Sequence, residues 1–129
     1  IGRQSLDMEL TTRAYTQEIA YARTFGFYSE VEELRRKGLI RGGSFDNAVV
    51  LSETEIMNGP LRSPDEFVRH KMLDLIGDIS LCGYPLIGHI KAHRTGHALH
   101  TDLATVLARD ESVCRKVQEP EVISQAVNF

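Results

Sequence analysis

The sequence is short of cysteine, of positive charge and of long apolar runs. Its two cysteines, Cys82 and Cys114, stand far apart and form no CxxC motif. That excludes a disulfide scaffold and predicts reduced thiols that fill core space in a cytoplasmic protein. Lys and Arg number 15 against 18 Asp and Glu, a net charge of −3 with neutral histidines. No basic footprint for nucleic acid and no polybasic patch for anionic lipid follows from that balance. No apolar run approaches the roughly 18 residues a transmembrane helix needs, and no signal-peptide pattern opens the chain. Internal repeats and low-complexity segments are also missing. The first residue is Ile1, not Met, as expected of a piece of a longer protein. What the 129 residues do have is an ordinary globular composition, 42% apolar and 26% charged. One domain of that length buries roughly two-thirds of its extended surface on folding.

Along the chain, "SLDMEL" (Ser5 to Leu10) alternates polar and apolar residues and predicts a half-buried strand. Thr11 and Thr12 offer N-caps to a helix carrying Tyr15, Ile19 and Ala22 at helical spacing. "RTFGFY" (Arg23 to Tyr28) reads as a strand. Ser29 and Glu32 have the spacing of a capping box for a short helix that Gly38 would end in a left-handed conformation. Gly42 and Gly43 lead out of it, and "AVVL" (Ala48 to Leu51) reads as a buried strand. A second helix start is marked by "SPDE", with Ser63 as cap, Pro64 at the first position and Glu66 at the capping-box position. This central helix should reach Leu81 or Cys82 and end at Gly83. "PLIGHIKAH" (Pro85 to His93) predicts another strand, and "HALHTDLATVLARD" the last helix. From Glu111 to Phe129 the pattern is weak, and Pro120 breaks it. Strands and helices without regular alternation indicate an α+β fold, a two-layer sandwich of a small mixed sheet packed on helices.

His70, Asp74 and Asp78 recur every four residues in the central helix. At 100° per residue they lie within about 80° of one another. Val68, Met72, Leu75, Ile76 and Ile79 define a separate core face. His70 and Asp74 are therefore either an exposed i,i+4 pair or two ligands of a metal, since one helical turn brings such side chains within reach of one ion. Downstream, "GHIKAHRTGHALH" holds His89, His93, His97 and His100. A histidine-rich metal module of His89, His93 and His97 is one reading, although Gly88, Gly96 and the "RTG" turn oppose a continuous helix. His89, His93 and His100 read as surface or sheet-face histidines. His97, at the start of a helix and borne by a loop, is placed for acid–base work.

Four segments in this order, "ARTFGF", "GGSFDNAVV", "FVRHKMLDLIGD" and "TGHAL", resemble the C-terminal half of the UDP-3-O-acyl-N-acetylglucosamine deacetylases, zinc amidases of bacterial lipid A biosynthesis. The resemblance covers roughly residues 4 to 108 and implies a C-terminal domain over 1–110 followed by the tail 111–129. It implies that His70 and Asp74 are two of three ligands to Zn2+. Asp78 would orient His97, and His97 as imidazolium would stabilise the oxyanion or protonate the leaving amine. Lys71 would contact the nucleotide phosphate of UDP-3-O-acyl-N-acetylglucosamine, Thr24 would hydrogen-bond near the acetamide, and Phe25 would pack on the sugar ring. A βαβ unit inserted at about 23–51 would form an apolar passage for the acyl chain, lined by Tyr28, Val31, Leu34, Ile40, Ser44 and Val50. As bare sequence those apolar residues also suit a small local core. Zinc lowers the pKa of bound water towards about 7 and polarises a carbonyl. Asp78 beside His97 would favour the charged imidazole.

The family's third ligand and glutamate base lie in an N-terminal half, in a His-Glu motif. Neither HE nor EH occurs in these 129 residues. The chain should therefore supply part of a site, bind zinc weakly by itself and not deacetylate without the N-terminal domain. A competing reading is a non-catalytic fragment that binds an acyl chain or a partner domain.

Overall fold

A computed structural model of the chain describes residues 1–40, 42 and 44–117. Gly43 and the Pro120 break, both singled out above, lie outside the described residues, as does the rest of the tail from 118. Two compact units divide the chain, Ile1–Asp74 and Leu75–Phe129. In order the elements are a short α1 (Thr12–Ala14) running into a π-helical stretch (Tyr15–Ile19), β1 (Thr24–Phe27), α2 (Tyr28–Arg36), β2 (Ala48–Leu51), α3 (Glu66–Ser80) and α4 (His97–Arg109). This is a mixed α/β chain with a small parallel sheet. No helix among the described residues is long and apolar enough to cross a membrane.

In the first unit, Thr11 caps α1 by accepting from the Ala14 N–H at 3.0 Å. The helix then widens, and the Ala20 N–H donates to the Tyr15 carbonyl at 2.9 Å. Thr16 contributes to this, since its hydroxyl takes up the Thr12 carbonyl at 2.7 Å, a bond of the kind that bends helices. Ile19 and Ala22 are buried as expected, but Tyr15 is exposed. β1 and β2 pair in parallel with Phe25 opposite Val49 and Gly26 opposite Val50, and α2 makes the connection. Phe27, not Ser29, caps α2. The Phe27 N–H donates to Glu30 at 3.4 Å, while Glu32 accepts from the Tyr28 hydroxyl at 2.7 Å. The helix starts earlier than predicted because β1 passes straight into it. Gly38 ends it with φ 73°, the Leu39 N–H reaching the Leu34 carbonyl and the Gly38 N–H the Arg35 carbonyl, both at 2.9 Å.

The outer edge of β2 is closed by side chain as well as backbone. Leu51 bridges Ile56, and the Met57 N–H donates to the Val50 carbonyl at 2.8 Å. Asn58 then accepts from the Val50 N–H at 2.8 Å and donates to the Ala48 carbonyl at 2.7 Å, imitating one more strand residue. Val49, Leu51 and Phe67 form a buried cluster onto which Phe25, Ile56 and Leu61 pack. Each such side chain contributes about 1.5–3 kcal/mol by leaving water.

Two expected strands do not form. Ser5–Glu9 alternates in burial and Leu10 is exposed, but the segment has no backbone partner among the described residues, and a lone strand cannot satisfy its own amides. It is anchored instead by Gln4, which donates to the Pro64 carbonyl and accepts from the Val68 N–H, both at 3.0 Å. Pro85–His93 is an exposed loop. Pro85 lacks a donor there, and Leu86 and Ile87 are neighbours, which breaks the alternation that buries one strand face.

α3 begins at Glu66, three residues after Ser63, because residues 63–65 form a turn in which the Glu66 N–H reaches the Ser63 carbonyl. Glu66 is no capping-box partner. Its wholly buried carboxylate accepts from the Arg23 side chain at 2.9 and 3.0 Å, from the Arg23 N–H at 3.0 Å and from the Arg62 N–H at 2.6 Å. Burial pushes its pKa up, but those bonds win and hold it at about 2. In the second unit Leu75 and Ile79 on α3 and Ala104 on α4 are buried, and α3 closes through a tight turn at Gly83 with φ 86°.

Candidate active site

Two clusters of histidine and carboxylate side chains stand out, one in each unit. In the first, the His70 Nδ1 lies 3.2 Å from the Ala22 carbonyl oxygen. A carbonyl only accepts, so Nδ1 holds a proton and Nε2 is the nitrogen turned to Asp74. That nitrogen lies 3.4 Å from Asp74 Oδ1, and both side chains are largely shielded from water. Two acceptors held this close need a proton or a cation between them. Bonds of about 2.0–2.2 Å at a tetrahedral zinc put neighbouring ligand atoms about 3.3–3.5 Å apart, so the pair fits such an ion. The bond from a ligating imidazole's other nitrogen to a backbone carbonyl is the usual means of fixing its ring. Phe25 backs the site, its ring edge-on to Phe67 at 4.9 Å and to His70 at 6.1 Å.

In the second unit, Asp78 Oδ2 accepts from His97 Nδ1 at 2.7 Å and from His100 Nδ1 at 2.9 Å. A carboxylate only accepts, so Nδ1 carries a proton in both rings. Burial raises the Asp78 pKa, but the bonds from His97 and His100 outweigh it and hold the carboxyl below its usual range. His97 is the first residue of α4 and projects into solvent with its side chain 70% exposed. His100 lies one turn further on, is 3% exposed, and bonds Thr95 Oγ1 through Nε2 at 2.7 Å. Asp78, His97 and His100 are the group of three potential metal ligands found among the described residues. Their N–O spacings are hydrogen-bond lengths, shorter than the span across a metal, so as arranged they share protons.

The expected residues are thus brought together as two pairs, His70 with Asp74 and Asp78 with His97. Thr24 is exposed on β1, and Lys71 is exposed on α3. A shallow groove along α2 is lined by Tyr28, Val31, Glu32, Arg35 and Arg36, and so takes in two of the six acyl-passage candidates. Leu34 is half-buried, Ile40 and Ser44 are exposed, and Val50 is buried in β2. Ile40 adopts φ 51°, which is costly for a β-branched residue. His89 and His93 lie exposed in the loop and do not gather with His97, which removes the three-histidine module. His100 corrects the expectation of a surface histidine. The signal for it was present: in "HALH" the step of three puts both imidazoles on neighbouring faces of one turn, and Ala104 a turn later marks the inward side.

Comparison with known proteins gives the family. Residues 1–109 match the family model described as "LpxC: UDP-3-O-acyl N-acetylglycosamine deacetylase". A UDP-3-O-acyl-N-acetylglucosamine deacetylase of Myxococcus xanthus is 53% identical over 113 residues, covering 87% of this chain and 36% of that protein. Proteins of the same name from Oleidesulfovibrio alaskensis and Nitratidesulfovibrio vulgaris are 51% and 48% identical, covering 94% and 97% of this chain and 40% and 41% of theirs. The chain spans about two-fifths of the length of these relatives. It belongs to the UDP-3-O-acyl-N-acetylglucosamine deacetylase family.

Proposed function

We propose that this chain is the C-terminal part, over residues 1–110, of a cytoplasmic zinc-dependent deacetylase. The full-length protein hydrolyses the acetamide of UDP-3-O-acyl-N-acetylglucosamine and releases acetate in lipid A biosynthesis. The observation that carries the reading is the placement of His70 Nε2 3.4 Å from Asp74 Oδ1, one helical turn apart, with the ring held through Nδ1 by the Ala22 carbonyl. His70 and Asp74 would hold Zn2+, with the third ligand and the general base coming from the N-terminal domain. The chemistry zinc supplies when bound is Lewis-acid polarisation of the carbonyl and activation of water near neutral pH. This chain's own part in the reaction lies with His97. Asp78 holds its Nδ1–H, and Nε2 would face the substrate, where a proton would place positive charge beside the developing oxyanion. As the C–N bond breaks, that proton passes to the departing amine nitrogen, and the oxygen of water remains in acetate. Asp78 stays ionised and offsets the imidazolium charge, as the carboxylate of a catalytic triad does.

Thr24 would hydrogen-bond near the acetamide, Phe25 would pack on the sugar, and Lys71 would meet a phosphate of the nucleotide. The parallel pair joined through α2 would be the family's insert in a two-layer sandwich, with Tyr28, Val31, Leu34, Ile40, Ser44 and Val50 along the acyl chain. Leu99, Leu103 and Val106 form an exposed apolar stripe on α4, as expected where further chain packs. The test is metal content and acetate release by the full-length protein. His70→Ala and Asp74→Ala should weaken zinc binding by at least about 100-fold. His97→Ala should keep zinc and lose about 10²- to 10⁴-fold in kcat. Retention of stoichiometric zinc by His70→Ala would overturn the assignment.

A further inference from the structure

His100 has no part in the reaction described above, yet it is one of the buried polar side chains among the described residues, 3% exposed. Its Nδ1–H donates to the same Asp78 oxygen that receives His97, at 2.9 Å against 2.7 Å. Its far nitrogen is occupied by Thr95 Oγ1 at 2.7 Å. The rings of His97 and His100 stand 6.3 Å apart and nearly perpendicular, so they reach the shared oxygen from different directions without stacking. Thr95 comes from the loop just before α4, and Arg94 in that loop adopts φ 53°, a conformation that surrounding contacts must hold in place.

We propose that His100 is a positioning residue for His97, and that Thr95, His100, Asp78 and His97 form one ordered hydrogen-bond chain. Two consequences follow from the geometry. A carboxylate held by His97 alone could rotate about its Cα–Cβ and Cβ–Cγ bonds and present either oxygen. The second, buried donor fixes which oxygen faces His97 and so fixes the His97 ring and its Nδ1–H tautomer. That oxygen also shares its electron density between two donors, so its hold on the His97 proton is weaker than that of a carboxylate with one partner. His97 then parts more readily with the proton on Nε2. The inference rests on the deacetylase reading for what His97 does, but not for how its ring is held.

The experiment uses the full-length protein and three substitutions. His100→Asn keeps an amide N–H where imidazole Nδ1 sits and should preserve the bond to Asp78. His100→Gln keeps a polar group where Nε2 sits, preserving the link to Thr95 while losing Asp78. His100→Phe keeps the ring volume and loses both. Nitrogen-15 spectra of His97 should show the Nδ1–H tautomer in the unaltered protein and in His100→Asn, and mixed tautomers in the other two. With zinc bound in all four, kcat should fall about tenfold or more in His100→Gln and His100→Phe with little change in KM, and stay close to the unaltered value in His100→Asn. Should His100→Gln not fold, His100→Phe carries the same test, since it too gives up the bond to Asp78. Unchanged His97 signals and unchanged kcat in a folded His100→Gln or His100→Phe protein overturn the proposal. Failure of the deacetylase reading would look different: the unaltered, zinc-loaded protein would release no acetate while the His97 signals still responded to His100.

Discussion

Glu66 shows how one side chain can set the response of a unit to acid. Its carboxylate is cut off from water and receives N–H bonds from Arg23 and Arg62. In the folded chain it titrates at about 2, against 4.5 for the ordinary group. A depressed folded pKa means a stabilising contribution that is complete above the unfolded value and disappears as pH falls towards the folded one. About 3 kcal/mol should therefore be lost between roughly pH 4.5 and pH 2. Glu66→Gln should destabilise the first unit by about 3–5 kcal/mol near neutrality, because the Arg23 guanidinium stays buried without its counter-charge. The gap between the variant and the unaltered protein should narrow in acid, and urea unfolding at a series of pH values checks both. The sequence misled at this residue because "SPDE" has the local form of a helix cap, whereas the partner that decides its role is 43 residues away. His70 and Asp74 were legible for the opposite reason: their partnership is one helical turn long.

At the scale of elements, the parallel pair of strands depends on a side chain for its outer edge. Asn58→Ala would leave the Val50 N–H and the Ala48 carbonyl without those partners in a largely buried setting. A loss of about 2 kcal/mol is expected, read as a lower unfolding midpoint. Asn58→Asp should recover only part of it, since a carboxylate accepts from Val50 but cannot donate to Ala48. α2 and β2 were readable because each carries its own signal, Gly38 as a stop and "AVVL" as a compact apolar run. The expected strands at Ser5–Leu10 and Pro85–His93 were not, because alternation or apolar content states only what a strand would bury and says nothing about whether a neighbour is there to pair with it. The start of α3 was displaced for a related reason: the signals at Ser63 and Pro64 are those of a helix, but the chain spends three residues in a turn before the regular ladder begins.

For the molecule as a whole, the matched relatives are about two and a half times as long as this chain, which contains no HE or EH pair. The 129-residue chain given zinc and UDP-3-O-acyl-N-acetylglucosamine should release no acetate, and the full-length protein should; turnover by the chain alone would refute the division of the site. The contact between His97 and Asp78 was legible because a family motif carries both, while the burial of His100 was legible only from its i, i+3 step to His97 and from Ala104 a turn later, signals that His89 and His93 lack. The carboxylate of Glu66 has one more effect. Because one oxygen is tied to the amide of Arg23 and the other to the amide of Arg62, neither main-chain hydrogen can meet deuterium until the same knot loosens. Labelled water should therefore reach both amides on a single clock, at the entrance to β1 and in the segment leading to α3 alike, and Glu66→Gln should advance that clock for the two together.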